Sequence, residues 1–68
     1  MNKKFAERLK DLRIEKGLSQ SELARRTGIS STAIVLWEAG QRSPTLDSAM
    51  VIAEFFGVSI DYLAGLEN

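Results

Sequence analysis

The fold of this chain is decided by residues 18–30, which read LSQSELARRTGIS. Ser19 and Glu22 match the S-x-x-E capping box, in which the two side chains satisfy backbone N–H groups at the start of a helix. Gly28 can adopt the left-handed backbone conformation of a sharp turn, and Ser30 can cap the helix that follows. The segment therefore predicts two short helices joined by a tight turn.

The sequence on either side predicts three more helices. Before the segment, apolar residues spaced four and three apart indicate an amphipathic helix that ends at Gly17; they are Phe5, Leu9 and Leu12. After it, a serine or threonine precedes and a glycine follows the predicted helices at 46–56 and 60–64. No run alternates with the period of two that is typical of a strand. We therefore predict an all-α fold of five short helices.

Apolar spacing also predicts which side chains form the core. Ala24 must be small, because the next helix crosses close to it. The wedge between the second and third helices is filled by Leu23, Ile29, Ile34 and Trp37. At an inward helical position, Trp37 is expected to pack in the core and not to stack on a base. On the fourth helix the expected core stripe is Leu46, Ala49, Met50, Ala53 and Phe56.

Length and composition limit the class of protein. A chain of 68 residues allows one domain, and a hydrophobic fraction of 44% supports a small core. No apolar run approaches the roughly 20 residues of a membrane helix, and the basic start leads into a charged segment and not into a signal peptide. We predict a small cytoplasmic domain without a membrane partner.

The residue types that most chemistry needs are missing. The chain contains no cysteine and no histidine, which excludes a disulfide framework, a thiolate zinc site and the commonest general base. No glycine-rich phosphate loop is present, and so short a chain seldom encloses a substrate pocket. We therefore expect no enzyme activity, no cofactor, no metal and no small-molecule ligand.

A net charge of zero conceals an uneven distribution. Residues 1–42 contain nine bases and five acids, a net charge of +4, whereas residues 43–68 contain four acids and no base, a net charge of −4. A chain polarised in this way can present one face to an anion and another to a different partner. Chance clustering in a short chain is the alternative interpretation.

The sequence resembles the phage-repressor and Cro-like helix-turn-helix family of transcriptional regulators at several separated positions that match in register. The residues that carry the resemblance are Leu18 to Ala24, Gly28-Ile29-Ser30, Ile34, Trp37-Glu38, Gly40, Arg42, Pro44 and Gly57-Val58-Ser59. The resemblance covers about residues 5–66. It implies a single domain over 1–68, with a helix-turn-helix core at about 19–39, that binds double-stranded DNA as a homodimer on a near-palindromic operator.

The resemblance also assigns roles to the third helix and its surroundings. The family places this helix in the major groove, and with Ile34 and Trp37 inward the candidates for base contact are Ser31, Thr32, Val35 and Leu36. The candidates for phosphate contact are Gln20, Ser30 and Arg42. Val35 and Leu36 depart from the polar residues common in the family, so we expect an A·T-rich half-site read through thymine methyl groups.

Two further sets of residues have structural roles in the family. Arg13 and Glu38 are expected to form a partly buried ion pair between the first and third helices. The dimer interface is expected around the last helix, with Ile60, Tyr62 and Leu66, together with Phe55. In the alternative interpretation, Tyr62 and Leu63 simply close the core.

The leading hypothesis is a sequence-specific transcriptional regulator of the phage or prophage type, most simply a repressor, although activation is compatible with the same domain. The rival is a protein-interaction module, antitoxin-like or adaptor-like, that uses the helices as a scaffold and the acidic 43–68 half as its binding surface. Either reading allows the chain to be part of a longer regulator.

Overall fold

The computed structural model describes residues 2–67 and contains five helices within them. They are α1 (Asn2–Glu15), α2 (Gln20–Thr27), α3 (Ser31–Glu38), α4 (Leu46–Phe56) and α5 (Ile60–Ala64). This confirms the predicted all-α architecture. The ends of the predicted domain, Met1 and Asn68, lie outside the described residues. None of the helices in the described part of the chain is long and apolar enough to cross a membrane.

Local capping explains where the helices begin and end. Ser19, Ser30, Thr45 and Ser59 stand before α2 to α5, and each side-chain oxygen accepts a hydrogen bond from the backbone N–H three residues later. At the carboxyl end of α2, Gly28 has φ = +76°, a conformation in which a side chain would be strained. The predicted helix limits are confirmed. They could be predicted because the capping residues act on backbone groups only a few residues away.

The core lies where the five helices meet. Its fully buried large side chains are Phe5, Leu9, Leu23, Ile34, Ile52 and Leu63. Trp37 is only 3% exposed, and its ring meets that of Phe5 edge to face, with 5.7 Å between the ring centroids. The expected core role of Trp37 is thus confirmed. α1 packs against α3 and α5, whereas α2 packs against α3 and α4.

The predicted core stripe of α4 was partly wrong: Ala49, Ala53 and Phe56 pack against the core as expected, but its other two residues do not. Leu46 and Met50 are 66% and 52% exposed, whereas Ile52 is fully buried beside Ala49 and Ala53. The sequence of α4 has apolar residues around most of its circumference, so a spacing of three and four residues fits more than one face. Contact with α2 and α5 decides which face turns inward, and that information is not local to the helix.

Candidate nucleic-acid interface

The pair formed by α2 and α3 is built around the turn at 28–30. In the capping box of α2, the Ser19 side chain accepts from the Glu22 N–H at 3.0 Å, and the Glu22 carboxylate accepts from the Ser19 N–H at 3.5 Å. Thr27 stabilises the turn, because its hydroxyl donates to the Leu23 carbonyl at 2.7 Å and accepts from the Ile29 N–H at 3.3 Å. The angle between the helices is therefore supported by local hydrogen bonds as well as by the core.

The outer face of α3 lies away from the core and is largely exposed. Ser31 and Thr32 are exposed, and Val35 is 45% exposed, while Leu36 is half-buried. Ile34 and Trp37 occupy the opposite face and are buried. The structure thus places the four residues expected to contact bases outside the core, with two hydroxyl groups near the start of α3 and two apolar side chains one turn later.

An ion-pair network fixes α3 on the rest of the domain. The Arg13 guanidinium donates from Nε to Oε2 of Glu38 at 2.7 Å and from Nη2 to Oε1 at 2.9 Å. Its third nitrogen, Nη1, donates to the Leu18 carbonyl at 2.8 Å. The hydrogen bonding that Arg13 donates to the Glu38 carboxylate raises the pKa of Arg13, against the opposing effect of burial. One arginine therefore connects α1, the segment before α2 and the end of α3.

Gln20 joins the same network through a contact that no sequence pattern indicated. Its side-chain amide donates to Glu38 Oε1 at 3.1 Å, so the first residue of α2 also holds α3. The spacing of 18 residues between Gln20 and Glu38 carries no signal for such a contact. The amide nitrogen has two N–H groups, and a phosphate role for Gln20 would have to coexist with this bond.

The remaining phosphate candidates lie on the surface. Ser30 is exposed, and its hydroxyl accepts from the Ala33 N–H at 3.1 Å as the cap of α3. Arg42 is exposed in the loop between α3 and α4. An open groove of about 410 Å³ runs between α1, α2 and α3 and is lined by Lys10, Gln20 and Val35 among others. Polar, basic and apolar groups thus surround the start of α2 and the outer face of α3.

The residues expected at a dimer interface differ in their surroundings. Leu66 is 77% exposed, whereas Phe55 and Ile60 are half-buried against the core. Tyr62 is covered on one face by the Arg8 guanidinium, which lies 4.1 Å from the ring centroid. Arg8 also donates from Nη1 to the carbonyls of Tyr62, at 3.2 Å, and Glu67, at 2.9 Å. Nothing in the sequence pattern indicated this contact, because Arg8 lies more than 50 residues from both acceptors.

Comparison with known proteins agrees with this geometry. A family model described as helix-turn-helix matches residues 9–63, which contain all of α2, α3 and α4. The chain belongs to the Cro-like helix-turn-helix family. No solved structure matches the chain.

Relatives of this helix-turn-helix family differ in length and in their named activity. The HTH-type transcriptional activator BcrR of Enterococcus faecalis is 43% identical over 64 residues, which cover 94% of this chain and 31% of BcrR. The cryptic phage CTXphi transcriptional repressor RstR of Vibrio cholerae is 36% identical over 56 residues, which cover 82% of the chain and 50% of RstR. An uncharacterized HTH-type transcriptional regulator of Methanocaldococcus jannaschii is 41% identical over 54 residues, which cover 79% of the chain and 82% of that protein.

The chain therefore spans about a third of BcrR and half of RstR. One of these two relatives is named an activator and the other a repressor. Both match this chain over its helix-turn-helix domain, so possession of this domain does not by itself determine the sign of regulation.

Proposed function

We propose that this chain is the DNA-binding domain of a transcriptional regulator and that α3 enters the major groove. The observation that carries the proposal is the two-sided character of α3. Its inner face is fixed by Ile34, Trp37 and the Arg13–Glu38 pair, and its outer face presents Ser31, Thr32 and Val35 to solvent. A helix that is held rigidly on one side and exposes small hydroxyl and apolar groups on the other can contact base edges in the major groove.

The proposed reading of bases follows from the chemistry of that face. Ser31 and Thr32 can exchange short-range hydrogen bonds with bases, whereas Val35 and Leu36 can contact only apolar groups, of which the thymine methyl is the one in the major groove. Gln20, Ser30 and Arg42 would position the domain on phosphates. A site rich in A·T pairs is therefore expected, with few guanines read by arginine.

We further propose that two copies bind a near-palindromic operator and act as a repressor by covering promoter DNA. Two α3 helices would then enter successive major grooves about 34–36 Å apart. The surface around Ile60, Tyr62 and Leu66 would join the copies, because Leu66 is among the most exposed apolar side chains described and adjoins α5. The likeness to a phage repressor supports repression, and a reporter gene under the selected operator would measure its sign.

The decisive experiment is selection of binding sites from random duplex DNA by the purified chain, followed by sequencing. We expect an enriched, two-fold symmetric, A·T-rich site with half-site centres one helical turn apart. Failure to enrich any site at low salt, from protein that circular dichroism shows to be helical, would overturn the proposal and favour the interaction-module alternative.

A matched pair of variants assigns the reading to α3. Leu36→Arg should change the selected sequence, because arginine introduces a bidentate donor for guanine. Val51→Arg adds the same charge to an exposed apolar position of α4. It should leave the selected sequence unchanged, apart from a general gain in affinity from the added charge. If both variants altered the selected sequence alike, α3 would not be the reading element.

A further inference from the structure

The exposed face of α4 carries a cluster of apolar side chains. Leu46, Met50 and Val51 are 66%, 52% and 41% exposed, and they lie within six residues of one another. A shallow depression of about 310 Å³ is lined by Asp47, Met50, Val51 and Glu54. These four residues are spaced at i, i+3, i+4 and i+7, so they occupy one face of the helix. Together with Leu46 they are called the α4 patch below.

The α4 patch is not needed for packing. The opposite face of α4 already contributes Ala49, Ile52 and Ala53 to the core. Isolated apolar residues on a surface are ordinary, but three in one cluster bordered by charged groups are typical of a protein interaction site. The side chains are therefore available to a partner without any rearrangement of the domain.

Charge identifies the kind of partner. Asp47 and Glu54 stand at the two ends of the patch, and neither forms a salt bridge within residues 2–67. Glu54 lies near the carboxyl end of α4, where the helix dipole disfavours a negative charge. A partner that brings a cation to each end would pair with both carboxylates.

The same charges argue against the other occupants. DNA would bring phosphates toward two carboxylates. A second copy in a two-fold contact would place the patch against itself, so that Asp47 and Glu54 met carboxylates of the same kind. Complementarity remains for a positively charged protein segment with apolar side chains between its charges.

We infer that the α4 patch binds a basic amphipathic helix of another protein. Asp47 and Glu54 are about 10.5 Å apart along the axis of α4, at about 1.5 Å per residue. A partner helix with lysine or arginine seven residues apart, and apolar side chains three and four residues after the first of them, would match both carboxylates and the depression. This function goes beyond DNA binding and does not depend on it.

The test uses the whole 68-residue chain and two synthetic peptides. One is an alanine-based helical peptide with two lysines seven residues apart and leucines at the third and fourth positions between them. The other replaces both lysines with glutamate. We expect the lysine peptide to shift the amide NMR signals of residues 46–54, with a dissociation constant that rises with salt, and the glutamate peptide to leave them unchanged.

Two variants make the result specific to the α4 patch. The doubly charge-reversed Asp47→Lys/Glu54→Lys variant should bind the lysine peptide at least tenfold more weakly and should gain affinity for the glutamate peptide. Met50→Ser/Val51→Ser keeps both carboxylates but removes the apolar side chains, and it should also bind the lysine peptide at least tenfold more weakly. Fluorescence of the buried Trp37 provides the control that both variants are folded.

Three results would overturn the inference. The first is the absence of any signal change in residues 46–54 at millimolar lysine peptide. The second is binding that is equal in the wild type and the charge-reversed variant. The third is a shift of the same signals with protein concentration in the absence of peptide, which would make a second copy the occupant.

Discussion

Arg13 and Glu38 meet through two parallel hydrogen bonds, Nε to Oε2 at 2.7 Å and Nη2 to Oε1 at 2.9 Å, although they lie 25 residues apart. Their side chains are only 13% and 5% exposed. The forked geometry fixes the rotation of α3 about its axis as well as its distance from α1. The outward direction of Ser31 and Val35 is therefore set in part by a residue that lies on another helix.

The first prediction concerns this pair. Arg13→Ala leaves the buried Glu38 carboxylate with Gln20 as its remaining side-chain donor, and we expect a loss of about 3 kcal/mol in the free energy of unfolding. Urea titration followed by fluorescence of Trp37, the only tryptophan, measures it. Arg25→Ala is the matched control: its pair with Glu22 is 3.6 Å long and exposed, so its loss should stay within about 0.5 kcal/mol. Equal losses in the two variants would contradict a structural role for the Arg13 pair.

The contribution of Arg13 to the free energy of unfolding should not vary with pH over the range used in DNA-binding assays. Hydrogen bonding to Glu38 raises the pKa of Arg13 above its ordinary value. A cation with a raised pKa in the folded state contributes stability that is fully present below the pKa of the unfolded state and is lost as pH rises through the folded value. That loss falls in strongly alkaline solution, well above the conditions of a DNA-binding assay.

Helix boundaries could be predicted from the sequence, whereas the buried face of α4 could be predicted only in part. The caps at Ser19, Ser30 and Ser59 act on backbone groups three residues away, so a local pattern is enough to identify them. Met50 was misplaced because α4 is apolar around most of its circumference, and only packing against α2 and α5 selects Ile52 as the inward residue.

In the candidate site, too, some features could be predicted from the sequence and others could not. The outward positions of α3 follow from helical periodicity once Ile34 and Trp37 are inward. The Arg13–Glu38 pairing was expected only through resemblance to a family. The contacts of Arg8 with Tyr62 and Glu67 have no signal in one sequence, because a surface arginine looks the same whether it faces solvent or a carbonyl 54 residues away.

The second prediction compares two glycines with positive φ. Gly28 has φ = +76°, and a Cβ added there would meet no atom within 4 Å. Gly28→Ala should therefore cost only the conformational strain, about 1–2 kcal/mol. Gly65 has φ = +81°, and its Cβ would lie 2.7 Å from Lys4 Cγ, so Gly65→Ala should cost more than Gly28→Ala. A smaller loss at Gly65 in the same urea titration would show that α1 does not hold the end of α5.

The third prediction concerns Arg8 as the residue that orders the proposed dimer surface. Arg8 covers the Tyr62 ring and holds two carbonyls near Leu66. Arg8→Ala should weaken binding to a full palindromic site at least fivefold more than binding to a half-site, as measured by fluorescence anisotropy. Arg8→Lys keeps the charge but not the forked donors, so its loss of affinity for the palindromic site should lie between those of the wild type and Arg8→Ala. A loss on the full site that is only the square of the loss on the half-site would instead indicate direct contact between Arg8 and DNA, made once per subunit.

The fourth prediction concerns salt. The chain has a net charge of zero, so few phosphates are expected to be neutralised. A plot of log affinity against log salt for the dimer should have a slope shallower than about −8, at about −0.9 per phosphate contact. Arg42→Gln removes one proposed contact per subunit and should reduce the magnitude of the slope by about 2. An unchanged slope in this variant would remove Arg42 from the set of phosphate contacts.

The fifth prediction tests how α3 reads its site. Replacing a contacted thymine by uracil removes only a methyl group, which is worth about 0.8 kcal/mol when buried against an apolar side chain, or about fourfold in affinity. The substitution is made at each thymine of the selected operator in turn, with wild-type protein, Val35→Ala and Leu36→Ala.

Each methyl contact should show as coupling between one thymine and one side chain. The loss on uracil substitution should disappear when the side chain that touches that methyl is shortened, and it should persist in the other variant. Because Val35 is 45% exposed and Leu36 is half-buried, we expect the stronger coupling at Val35. If uracil substitution left the affinity unchanged at every position, the outer face of α3 would not read thymine methyl groups, and specificity would have to come from the hydroxyls of Ser31 and Thr32.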